Sequence, residues 1–163
     1  MRKFLFVLAV FLAFAATGAD GGEAAKQRPV ITCAKQRFDP SQGLYFLEGN
    51  VYVAVSDRTI TADKASVDIA GLKVWAQGNV TLKQGDITFT GDSLYVDGGK
   101  NTAEITGHLF FARDGLSMTA EYAEFNWKTK IAHLTGNVVV NRQGEEARCE
   151  SLRYHVKENR FLP

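Results

Sequence analysis

The 163-residue sequence predicts an all-β protein: an antiparallel, bent-strand β-jelly roll built from 29-residue repeats, open-ended, with a cleaved N-terminal signal peptide. Three observations carry this reading. A glycine column recurs at Gly49, Gly78, Gly107 and Gly136, in steps of 29. Apolar residues alternate with period two through most of each repeat, the mark of a strand with one buried face. Turn-forming stretches such as Gln84-Gly85-Asp86 and Arg113-Asp114-Gly115 separate the alternating runs. Such Gly-Asp and Asp-Gly pairs are hairpin signals, which favour antiparallel neighbours over the parallel coils of a β-helix.

In chain order, Arg2-Lys3 precede thirteen apolar residues, Phe4 to Ala16, and then Thr17-Gly18-Ala19. A basic start, a short apolar run and small residues at its end read as a secretory signal peptide at 1–19. Thirteen residues rise only about 20 Å as a helix, short of a ~30 Å hydrocarbon core, so cleavage is favoured over a retained anchor. Removing 19 residues leaves 144 (163 − 19), with a charge of 17 − 18 = −1. Residues 20–29 are small and polar and read as a flexible leader. The repeat domain runs over 30–155, and 156–163 is expected to be a tail.

Within the repeats, a shift of 29 aligns the chain without a gap. Ile31, Ile60, Phe89 and Met118 share a column, followed by Thr32, Thr61, Thr90 and Thr119. Cys33, Ala62, Gly91, Ala120 and Cys149 form a small-residue column, and Phe38, Val67, Val96, Phe125 and Tyr154 a large apolar one. Periods of 20 to 50 residues denote repeat architectures whose units share one continuous core. Each unit holds two strands. In the first, Val74, Ala76, Gly78, Val80 and Leu82 face inward while Lys73, Trp75, Gln77, Asn79, Thr81 and Lys83 face outward. In the second, Ile60 and Ala62 face inward, then Ala65 and Val67, and the three-residue step at Asp63-Lys64 predicts a β-bulge there. The Gly-Asn pairs are read as lying inside the first strand, because alternation runs through them, and an inward Gly then marks a bend. Stacked strands bent at that glycine form a trough with two open ends.

Composition narrows the function. Nineteen Lys+Arg against 18 Asp+Glu gives none of the basic surplus that nucleic-acid binding uses to displace counterions. The three histidines fall in different columns, with no metal-ligand spacing. Gly91-Asp92-Ser93-Leu94 matches a short esterase motif, but its columns hold Ala62-Asp63-Lys64-Ala65 in the preceding unit, so the repeat accounts for it. Outward-facing Phe46 and Trp75, beside Phe110, form either a partner-binding stripe or, the commoner case, local cross-strand aromatic contacts. Cys33 and Cys149 lie four periods apart, at opposite ends of the stack. They are expected to stay unpaired within a chain, with an end-to-end bridge between chains as the less favoured alternative.

The Gly49-Asn50-Val51, Gly78-Asn79-Val80 and Gly136-Asn137-Val138 blocks, with Ile60-Thr61-Ala62-Asp63-Lys64-Ala65 and the related Met118-Thr119-Ala120-Glu121-Tyr122-Ala123, resemble the OstA-like (LptA) family of periplasmic lipopolysaccharide-transport proteins. The resemblance spans about residues 30 to 155. Gly107-His108-Leu109 departs from the first block, and the fifth unit, from Ala147, is only half present. The resemblance implies a twisted jelly roll that shields the acyl chains of lipopolysaccharide in an apolar groove, without enzymatic activity or cofactor. It also implies end-to-end homo-oligomers that meet LptC-like and LptD-like jelly-roll domains and bridge the inner and outer membranes for outer-membrane assembly. The expected groove lining is Ile60, Val67, Val74, Val80, Leu82, Phe89, Val96, Ile105, Leu109, Phe111, Met118, Phe125, Leu134, Val138 and Val140, with Gly49, Gly78, Gly107 and Gly136 as strand bends. The alternatives are an LptC-like, membrane-anchored transfer subunit and a self-assembling β-solenoid that binds no ligand.

Overall fold

A computed structural model describes residues 30–55, 58–68 and 70–163, so the expected signal peptide and leader lie outside the described residues. The described chain is entirely β. Its strands are β1 (Val30–Thr32), β2 (Lys35–Asp39), β3 (Leu44–Val55), β4 (Arg58–Asp68), β5 (Lys73–Gln84), β6 (Ile87–Asp97), β7 (Thr102–Arg113), β8 (Leu116–Asn126), β9 (Ile131–Arg142), β10 (Glu145–His155) and β11 (Arg160–Leu162). They form one antiparallel sheet in chain order, with β1 and β2 pairing the two halves of β3 as a single interrupted first strand. The 29-residue period is preserved in the strands: β3, β5, β7 and β9 begin at residues 44, 73, 102 and 131.

At the glycine column two successive residues leave the extended conformation together. Gly78 and Asn79 both take positive φ, 76° and 47°, as do Gly49 and Asn50, Gly107 and His108, and Gly136 and Asn137. Register slips at each of these pairs: Gln77 pairs with Ser93 and Val80 with Gly91, so two residues face Asp92 alone. The bulge expected at Asp63-Lys64 therefore carries its extra residue on the Gly-Asn strand, because left-handed residues shorten and turn the backbone.

The acidic residue opposite holds the bend together. Asn79 donates its side-chain N–H to Asp63 at 2.9 Å, Asn137 to Glu121 at 2.5 Å, and His108 meets Asp92 at 2.8 Å. The acid lies directly over the glycine: a Cβ on Gly78 would stand 2.4 Å from the Asp63 carboxylate, and one on Gly107 2.3 Å from that of Asp92. A second column shapes the hairpin turns. Asp39, Asp68, Asp97 and Asn126 accept backbone N–H groups of Ser41, Gly71, Lys100 and Lys128 through their side-chain oxygens, at 2.8 to 3.0 Å. Such Asx contacts pre-form a turn. In the fifth unit His155 plays this part, its Nδ1 accepting the Glu158 N–H at 3.1 Å.

The expected tail, 156–163, is not a bare extension. It turns back as β11, whose Arg160, Phe161 and Leu162 pair with His155, Tyr154 and Arg153 of β10.

Candidate lipid groove

Bending divides every long strand between two walls. The first wall holds the starts of β3, β5, β7 and β9 with the ends of the even strands, and the second holds the remaining halves. The inward side chains of both meet in one apolar cluster that runs from Ile31 to Phe161. All fifteen residues expected to line the groove belong to it. Val67, Val74, Val80, Phe89, Val96, Ile105, Leu109, Phe111, Met118, Leu134, Val138 and Val140 are buried, while Ile60, Leu82 and Phe125 are half-buried against them.

The interior is not uniform along its length. In the column of Val53, Leu82, Phe111 and Val140, the first two are half-buried, whereas Phe111 is 0% and Val140 8% exposed. Tyr45 is likewise more open than its equivalents Val74, Ala103 and Ala132, and Phe38 is 48% exposed where Tyr154 is 0%. In these columns the interior is more open at the β1–β4 end and filled from β7 to Tyr154, while the inward Ala147 and Cys149 of the β10 edge are exposed. Filling is by aromatics: Phe89 and Phe111 rings lie 4.7 Å apart, Phe111 and Tyr154 5.6 Å, Tyr154 and Phe161 5.6 Å. Such offset and edge contacts add to the area buried. Phe111 belongs to the second wall and Tyr154 to the first, so this contact spans the trough.

Polar stitches close the same end. Arg113, at the close of β7, bonds Asp86 at 2.8 Å on its own wall and reaches across to Tyr154 Oη and the Val156 carbonyl. The Arg113 hydrogen bonds to Asp86, then to Tyr154, raise the guanidinium pKa, while the Asp86 carboxyl is lowered, chiefly by its hydrogen bond to Arg113. Arg142, one unit on, contacts Asn159 Oδ1 at 3.2 Å and stacks its guanidinium over Phe161 at 4.7 Å. Tyr154 Oη donates to Asn159 Oδ1 at 2.7 Å. Val156, a tail residue absent from the expected core, is buried, as is Trp127 in the β8–β9 turn. The readable signal for the stitches was a repeated one: Arg113 and Arg142 share a column with Gln84 at the strand end.

The outer face resolves the aromatic alternatives. Trp75 stacks on its cross-strand partner Tyr95 at 5.4 Å, and Arg37 lies over Phe46 at 4.5 Å. Phe110 is exposed beyond the bend, on the other wall, so it does not extend a stripe with Phe46 and Trp75. Asp92 of the esterase-like motif holds His108 as Asp63 holds Asn79, and Ser93 pairs in the sheet with Gln77 and Thr106. Among the described residues no cluster of three His, Cys, Asp or Glu side chains is arranged to hold a metal ion.

A family model described as LptA/(LptD N-terminal domain) LPS transport protein matches residues 59–160. No curated protein sequence matches significantly. Among solved structures, the chain is similar to LptH of Pseudomonas aeruginosa, described as the LptA-homologous periplasmic component of the lipopolysaccharide transport device. The likeness has a TM-score of 0.62 at 15% identity and covers 68% of this chain and 83% of that one. At that identity the likeness is one of fold.

Proposed function

Because this chain belongs to the LptA/(LptD N-terminal domain) family of LPS transport proteins, we propose that it is a periplasmic, non-enzymatic carrier that holds the acyl chains of lipopolysaccharide between its two walls. The observation that carries the reading is the unbroken apolar interior, accessible at the β1–β4 end and polar on its outer faces. Transfer of acyl chain into water costs about 0.8 kcal/mol per CH₂, so a twelve-carbon chain would cost roughly 10 kcal/mol. A carrier relieves that cost only with an apolar path that has no polar gap, and in-register inward columns supply such a path. Copies joined end to end, and joined to LptC-like and LptD-like domains, extend it from the inner to the outer membrane. Export requires the signal peptide to be cleaved near Ala19. The mature N-terminus, read by mass spectrometry, distinguishes this from an anchored transfer subunit.

Site-specific photo-crosslinking in cells tests the groove. A photoreactive residue at Leu82 or Ile60, inward and half-buried, is expected to give lipopolysaccharide adducts, and one at Lys83, outward on the same strand, is expected to give none. Equal labelling at both faces, or no adduct at any inward position, would favour a β-solenoid that packs its own core and binds no lipid.

A further inference from the structure

Two thiols stand on the two edges of the sheet. Cys33 interrupts the first strand between β1 and β2, half-buried against the core, and Cys149 lies exposed on β10. Both occupy the inward small-residue column, whose other members, Ala62, Gly91 and Ala120, are buried. Eight strand-to-strand steps separate the first strand from β10. At about 4.8 Å per step they are far too distant to bond within one chain, which needs Cα atoms within about 7 Å.

Among the described residues, the edge that carries Cys149 is open. β9 pairs with β10 along its length, but on the other side β11 covers only Arg153, Tyr154 and His155. The stretch Glu145–Glu150 is exposed throughout. A free strand edge recruits another strand, and its charge indicates which one. Beside the Glu146–Arg148 ion pair the stretch bears Glu145 and Glu150, while the first strand bears Lys35 close to Cys33, beside an Arg37–Asp39 pair. Within the chain each earlier acid of Glu150's column, Asp63, Asp92 and Glu121, is matched by the bend residue of the next strand. Glu150 has no such following strand in the described chain, and the Lys35 of an incoming copy supplies its counter-charge.

We propose that Cys149 of one copy and Cys33 of the next form a disulfide that locks the chain end to end. The proposal rests on the end-to-end reading above and specifies its joint. Copies related head to tail keep one orientation, so β10 and β1 run parallel. A continuous trough further requires bend to meet bend and inward face to meet inward face. That alignment sets Val30–Thr32 beside Glu146–Arg148 and Cys33 beside Cys149, since 149 − 33 is four periods of 29. Neighbouring strands hold facing Cα atoms within the range a disulfide spans. β11 covers Arg153–His155 and so excludes Arg37–Asp39 from the same edge; pairing is confined to the β1 half and the start of β2, and a covalent link compensates for that short contact. The oxidant is a protein disulfide of the kind that equips oxidising compartments. The exposed Cys149 thiolate attacks it, forming a mixed disulfide and releasing one oxidant thiol. Cys33 then attacks the Cys149 sulfur, releasing the second thiol. Two cysteine thiols are oxidised, one oxidant disulfide is reduced to a dithiol, and the protons of the two cysteines end on that dithiol.

The test uses the full chain, oxidised with glutathione disulfide and run on non-reducing gels. Alanine replaces each cysteine because it already fills this column at Ala62 and Ala120. The unsubstituted chain is expected to give a ladder of dimers and higher species, abolished by dithiothreitol. Cys33→Ala and Cys149→Ala alone are expected to stay monomeric, and their mixture to give a dimer and nothing larger. A single variant that dimerises as well as the unsubstituted chain, or a mixture that stays monomeric, would overturn the disulfide. Light scattering of the doubly substituted chain at rising concentration separates the two readings. Association there with a monomeric mixture removes the bond and leaves the stacking, and failure of both removes the stacking as well.

Discussion

Three of the four bends are three-residue devices: a glycine, the residue after it, and an acid on the preceding strand, a place that Ala34 takes over Gly49. Gly78, Asn79 and Asp63 show why each type is needed, since the left-handed backbone and the overlying carboxylate both exclude a Cβ at Gly78. Gly78→Ala is therefore expected to cost the left-handed penalty of about 1–2 kcal/mol and more for the clash. Gly85→Ala, also at positive φ but with open space around it, should cost the backbone penalty alone. Urea denaturation of the two variants compares them, and equal losses would refute the packing argument. The Arg113 stitch has a pH signature. Because the folded-state pKa of Asp86 lies below the usual 3.8, its contribution is present above that value and is lost as pH falls through the depressed one. The stability gap between the parent chain and Asp86→Asn, followed by thermal denaturation, should narrow on going from pH 6 to pH 2. The glycine column was legible in the sequence as a period. The acidic column was present at the same spacing, but a hydrogen bond between strands sixteen residues apart in the chain cannot be read until register is known.

Strands are the level at which the sequence is most readable here, because alternation and turn residues are both local signals. The inward and outward sets of β5 are as alternation requires: Val74, Ala76 and Val80 are buried, and Trp75, Gln77, Asn79 and Lys83 are exposed. The fate of the chain after His155 was less legible. The period continues there in weaker form: β11 begins 29 residues after β9, Asn159 takes the positive φ of Lys130, and Phe161 stands one period after Ala132, while β10 offers an edge and Arg142 and Tyr154 offer partners. Hydrogen exchange should register the difference between edge and centre. Amides of Glu145–Glu150 are expected to exchange much faster than those of β6, which has a neighbour on each side. Protection of both stretches to the same degree in dilute, reduced protein would contradict an open β10 edge.

For the molecule as a whole, the two ends of one apolar column differ in accessibility while their chemistry is the same. Val53 and Val140 occupy equivalent inward positions, half-buried and 8% exposed respectively. Val140→Ala is expected to cost about 2 kcal/mol and Val53→Ala less than half of that. If the chain carries acyl chains as proposed, the same substitutions should rank oppositely in a lipid-binding assay. Equal stability losses would mean that the interior closes evenly along the sheet. The repeat period, the strand faces, the bend glycines and the fifteen interior residues were all available from residue order, since each is set by side-chain alternation and local backbone freedom. Where the trough is more open, the aromatic and arginine closure across it, and the meeting of each acid with its bend residue were not. Those features depend on contacts between walls and between strands, and such contacts exist only once twist and register have brought distant residues together.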